Sequence, residues 1–110
     1  MRPAALAATA AAALLLAPAP AAAARPSYAL RLDPAGFTPA ALDVPAGRKI
    51  VLHVTNTGPA AAEFESTDLN REKIVPAGDR VVVYVGPLRP GTYVFFDDFH
   101  PRLRGRIVAK

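Results

Sequence analysis

The sequence predicts an all-β fold, an antiparallel Greek-key β-sandwich of about seven or eight strands. Three features carry this expectation. Turn formers recur at short intervals, at Asp33-Pro34-Ala35-Gly36, Pro45-Ala46-Gly47, Thr57-Gly58-Pro59, Pro76-Ala77-Gly78-Asp79 and Arg89-Pro90-Gly91. The runs between them are short and rich in β-branched and aromatic residues, which pack well on a pleated surface. No heptad and no internal repeat competes with that pattern.

Residues 1–24 read as a cleaved secretory signal peptide. Met1-Arg2-Pro3 supplies one positive charge, Ala4 to Leu16 is apolar, and the alanine and proline tract from Ala17 ends in an A-x-A cleavage site at Ala22 to Ala24. The apolar stretch is shorter than the ~20 residues that cross a bilayer, which disfavours a retained anchor. No cysteine follows it to carry a lipid. Residues 25–110 then make one small domain, periplasmic or secreted and not integral to the membrane.

Within that domain, Tyr28 to Leu32 reads as a first strand and Ala40 to Val44 as a second, edge-like one. Arg48 to Asn56 alternates most clearly. Ile50, Leu52 and Val54 share one face, and Lys49, Val51, His53 and Thr55 the other, which gives His53 a structural place on a polar face. Ala62 to Ser66 is a short strand centred on Phe64, with Glu63 and Glu65 on the opposite face. Ser66 to Lys73 is polar and begins with an N-cap residue, so it predicts a single helical turn. Arg80 to Val85 and Thr92 to Phe96 read as central strands, and Gly105 to Ala109 closes the sheet. Phe64, Val83, Tyr93 and Phe95 are the expected core.

Composition narrows the function. The chain contains no cysteine, which excludes disulfides and thiolate chemistry. Without Arg2, 12 basic residues face 9 acidic ones, a formal charge of +3. The basic residues are dispersed apart from Arg102, Arg104 and Arg106, whose alternation sets them on one strand face. That row suits an anionic surface, a partner or plain solvent, and without interleaved aromatics it does not suit nucleic acid. There is no G-x-S-x-G, no HExxH and no phosphate-cradling glycine loop, and neither serine, Ser27 or Ser66, has a histidine beside it. The chain therefore reads as a non-enzyme, with ferroxidase-type activity the least favoured alternative.

The C-terminal order Gly91-Thr92-Tyr93-Val94-Phe95-Phe96-Asp97-Asp98-Phe99-His100-Pro101-Arg102-Leu103-Arg104-Gly105 resembles the cupredoxin signature. In that signature a G-x-Y-x-aromatic strand leads to a C-x-x-H ligand loop, a methionine and a glycine. Phe37-Thr38-Pro39, Leu42 to Gly47 and Val54-Thr55-Asn56-Thr57-Gly58 are similar to the family's earlier landmarks, so the resemblance runs from about Tyr28 to Lys110. It implies Asp97 in the thiolate position, His100 in the histidine position and Leu103 in the axial position. The family's first histidine would fall at Ala62 or Glu63. A blue-copper site requires the missing thiolate, so none is expected.

Glu63 to Lys73, taken with Phe95 to His100, is also similar to the exported cupredoxin-like proteins found beside bacterial iron permeases and to a domain of periplasmic ferrous-iron uptake proteins. That resemblance implies a periplasmic metal-binding protein that assists iron or copper handling, with an inner-membrane iron permease or another uptake protein as partner. The expected ligands are Glu63, Asp97 and His100, with Glu65 and Asp98 as supporting oxygen donors. Carboxylates with one imidazole suit iron, manganese or copper(II). The alternative is a metal-free module that docks through residues 66–73 or the arginine row.

Overall fold

A computed structural model describes residues 1–17 and 24–110. Residues 1–17 are exposed and carry no regular secondary structure, and most of the expected cleavage site, Ala22 and Ala23, lies outside the described residues. Among the described residues no helix is long and apolar enough to cross a membrane.

Among the described residues there are nine strands: β1 (Ser27–Asp33), β2 (Gly36–Thr38), β3 (Ala41–Val44), β4 (Ile50–Asn56), β5 (Ala62–Ser66), β6 (Arg71–Val75), β7 (Arg80–Val85), β8 (Gly91–Asp97) and β9 (His100–Ala109). They form a four-stranded sheet in the order β2-β1-β4-β7 and a five-stranded sheet in the order β3-β9-β8-β5-β6. The all-β sandwich is as expected, but both sheets are mixed. β1 pairs parallel with β4, and β3 parallel with β9. Between β1 and β4 the chain turns back along β2 and crosses to the other sheet as β3. Turn residues mark where the chain bends and not which sheet it enters next, so strand direction does not follow from them.

Two strands beyond the seven expected segments explain the count. β2 is only three residues long. β6 replaces the helical turn expected after Ser66: the chain turns at Thr67 to Asn70, with Asn70 at φ 52°, and runs back along β5. Ser66 Oγ does accept the Leu69 N–H at 3.1 Å, as a cap would, while donating to the Val94 carbonyl at 2.6 Å. β7 is an edge strand and not a central one; Arg71 Nε donates to its Tyr84 carbonyl at 2.7 Å, covering part of the open edge. β9 begins at His100, lies between β3 and β8, and carries Arg102, Arg104 and Arg106 exposed on the outer face.

The core lies between the sheets. Leu30, Leu32, Ile50, Leu52, Val54 and Ile107 are fully buried around three phenylalanines. Phe37 stands edge-on to Phe95 at 4.9 Å between centroids, and Phe64 stacks on Phe95 at 5.3 Å. Phe95 lies directly opposite Gly105 on β9, and a Cβ at Gly105 would collide with Phe95 Cε2 and Cζ and press on the Ala40 carbonyl. The bare backbone of Gly105 is what lets the ring lie against β9. Gly105→Ala is therefore expected to destabilise the protein by about 1–3 kcal/mol, the usual cost of overpacking. Denaturant unfolding should show a lower midpoint with an unchanged m-value, and an unchanged midpoint would contradict this packing.

Candidate metal centre

Asp97, at the end of β8, is 2 % exposed. One carboxylate oxygen, Oδ1, accepts the N–H of Glu63 at 3.0 Å and that of Phe99 at 3.1 Å. The other, Oδ2, lies 3.1 Å from His100 Nδ1. A carboxylate this deep is retained only when its oxygens are engaged, and here both are. His100 closes the hairpin with its ring largely in solvent. Beside the pair is a recess of about 230 Å³ walled by Leu32, Pro34, Ala60, Ala62 and Leu103. Asn56 holds its rim: Nδ2 donates to the carbonyls of Ala60 and Val75, and Oδ1 accepts the Gly58 N–H.

This end of the sandwich does not fit blue copper. Such a site needs a thiolate, imidazoles and a weak axial donor. The recess offers one exposed imidazole and one carboxylate already committed to three partners, and Ala62 and Leu103 supply no ligand atom.

A second cluster lies on the outer face of the five-stranded sheet. Residues directly opposite one another in a sheet share a face. Phe64 is opposite Asp97 and both point inward; Glu65 is opposite Phe96 and both point outward, as does Glu63. On the next strand Glu72 is opposite Glu65. One carboxylate oxygen from each of Glu63, Glu65 and Glu72 lies within 4.8 Å of the others. Glu63 is 8 % exposed, Glu65 half-buried and Glu72 exposed. Among the described residues no lysine, arginine or histidine forms an ion pair with any of the three. Burial pushes the Glu63 carboxyl up from its ordinary 4.5 to about 7, aided by a hydrogen bond with Glu72 and by the charges of Glu72, Asp98 and Glu65.

Four of the five expected ligands thus separate into two groups. Asp97 and His100 meet at the end of the sandwich, whereas Glu63 and Glu65 meet Glu72 on the outer face. The Glu63 carboxylate is not brought together with Asp97 and His100, because it is the Glu63 backbone N–H that faces Asp97. The period of two along a strand sends the inward Phe64 and the outward Glu63 to opposite sides. Asp98 is exposed; its N–H donates to the Glu63 carbonyl at 3.0 Å, and its charge is felt by Glu63. Glu72 is the member that the sequence reading missed. The signal that reveals it is the turn at Thr67 to Asn70, which makes residues 62–75 a hairpin and brings Glu72 opposite Glu65.

The model of the cupredoxin-like domain family matches residues 5–109. An uncharacterized protein of Rickettsia prowazekii (strain Madrid E), RP394, is 44% identical over 64 residues, which cover 58% of this chain and 51% of the relative, so the chain spans about half the relative's length. A purple cupredoxin from Nitrosopumilus maritimus is similar in structure, with a TM-score of 0.60 at 18% identity over 76% of this chain and 99% of the other. Reduced auracyanin from Roseiflexus castenholzii gives a TM-score of 0.65 at 15% identity over 79% and 98%.

Two outcomes are expected. Asp97→Ala leaves the buried Glu63 N–H without an acceptor, at roughly 1–3 kcal/mol, and frees the part-buried Phe99 N–H, whereas His100→Ala changes stability by less than about 1 kcal/mol. Equal losses in the two variants, measured by denaturant unfolding, would deny Asp97 its organising place. The raised carboxyl sets a pH dependence. Between pH 4.5 and about 7 the folded chain holds a Glu63 proton that the unfolded chain has lost, so this group's contribution to stability falls as pH rises. With chelator present, Glu63→Gln should therefore gain in melting temperature over the parent across that window. A gap that stays constant with pH would show that Glu63 titrates normally.

Proposed function

Because the chain belongs to the cupredoxin-like domain family, we propose that it is an exported metal-handling protein that holds its ion with Glu63, Glu65 and Glu72 on the outer sheet face. The family relates it to copper-binding proteins, but a blue-copper site is excluded by the absence of cysteine. What supports the reading is one observation: three carboxylates from paired strands converge within 4.8 Å, one of them nine-tenths buried, and among the described residues no cationic side chain forms an ion pair with them.

Oxygen ligands of this kind suit hard or borderline cations such as iron, manganese or copper(II) in a tetragonal site. β5 and β6 fix Glu65 and Glu72 by their register, and Glu63 is fixed by its burial. The exposed Glu72 leaves one side of the ion open to solvent, which suits a carrier that takes up and hands over its cargo. On this reading, and by the resemblance described above, the recipient is an inner-membrane iron permease or another uptake protein, and Asp98 adds negative charge at the entrance.

The test is titration of the purified protein with manganese(II), iron(II) and copper(II), by calorimetry and electron paramagnetic resonance. One ion per chain is expected. Glu63→Gln and Glu72→Gln should each weaken it at least tenfold, about 1.4 kcal/mol, while His100→Ala changes affinity little. Undiminished affinity in both glutamate variants would overturn the assignment, and so would loss of binding in His100→Ala alone.

A further inference from the structure

The outer face of the five-stranded sheet carries its charges in an ordered way. Phe96, on the middle strand β8, lies opposite Arg104 on β9 and opposite Glu65 on β5, and Glu65 lies opposite Glu72 on β6. One row therefore reads Arg104, Phe96, Glu65, Glu72 across four strands, each about 4.8 Å from the next. Arg102 and Arg106 extend the positive side along β9; Glu63 and Asp98 extend the negative side. Val94 and Phe96, both half-buried, form an apolar centre between them. Arg104 rests over its own Phe96 ring, 5.8 Å from the centroid. Two strand spacings and that ring separate it from Glu65, and among the described residues neither forms an ion pair.

From this arrangement we propose that the face is self-complementary and associates with a second copy of the chain. A two-fold axis in the contact plane and parallel to β8 exchanges the two sides of the face. It sets Arg104 of each copy against Glu65 and Glu72 of the other, and Phe96 against Phe96. An axis across the strands would instead set arginine on arginine, so charge selects one of the two symmetric pairings. Sheets pack face to face with their strand directions within about 30° and roughly 10 Å apart, a gap that an arginine and a glutamate extended from opposite sides span. The contact is one small sheet face, below the ~800 Å² per partner of standard interfaces, so it is weak and concentration-dependent. The inference goes beyond the cation reading and does not rest on it: Glu65 and Glu72 serve in both, but the charge pairing needs no bound ion and adds Arg104, which is no part of the carboxylate cluster.

Sedimentation equilibrium of the purified protein with chelator present, over about a hundredfold concentration range, tests it. The parent chain should shift from monomer toward dimer, and high salt should reverse the shift. Arg104→Glu alone and Glu65→Arg alone should each remain monomeric. An equimolar mixture of the two should associate again, because both cross-contacts then pair opposite charges. A parent chain that stays monomeric throughout overturns the proposal, as do single variants that associate like the parent or a mixture that fails to recover. Cation titration of Arg104→Glu, at a protein concentration where the parent is monomeric, separates the two readings: it should bind the ion at least as tightly as the parent does even though dimerisation is lost.

Discussion

The buried carboxylate of Asp97 is the contact on which the functional end of the domain depends. It ties the start of β5 to the hairpin between β8 and β9 through two backbone N–H groups and an imidazole. Three partners offset the cost of taking a carboxylate out of water. With its oxygens spent on the fold, Asp97 organises the loop and has little left to offer an ion. In the same contact it fixes the height of Glu63 on the sheet, and so delivers the Glu63 side chain to the opposite face.

That division follows from the alternation of side chains along a strand. In β5 the inward residues Ala62, Phe64 and Ser66 serve the recess, the aromatic core and the turn. The outward Glu63 and Glu65 are left to whatever the outer face does. The resemblance places ligands at the end of the sandwich, yet here that end sets Ala62 and Leu103 beside the mutually paired Asp97 and His100, and the three-carboxylate cluster lies on the flank. A domain that keeps a fold without its usual thiolate can still use the rigidity of paired strands, because register places carboxylates as firmly as a loop would.

Most of the fold was legible in the sequence because it rests on local rules. Turn residues and the alternation of Ile50, Leu52 and Val54 mark strands wherever they occur, and Phe64 and Phe95 are core by any reading. What escaped depends on long-range pairing. The parallel contact of β1 with β4 leaves no mark in either strand, and β6 was hidden because Arg71-Glu72-Lys73 is exposed on both faces and so shows no alternation. The grouping of the candidate ligands escaped for the same reason. Glu63, Asp97 and His100 are near one another in the fold, but nearness of backbone says nothing of the side to which a carboxylate points, and only the pairing of Phe64 with Asp97 decides it.

The glutamate cluster also carries a consequence for stability. Three carboxylates brought together without a cation repel one another, and a protein of marginal stability retains such a feature only if something compensates. Below neutrality a proton on Glu63 does so, its carboxyl being raised to about 7 first by burial and then by the hydrogen bond with Glu72 and the neighbouring negative charges. On the proposed reading a metal ion takes the place of that proton near neutral pH, and uptake of the ion releases it. The second copy's Arg104 would satisfy the same carboxylates with a fixed positive charge. Proton, metal ion and guanidinium then compete for one negative site. The order in which they win is set by pH, ion supply and protein concentration, and each wins at the expense of the other two.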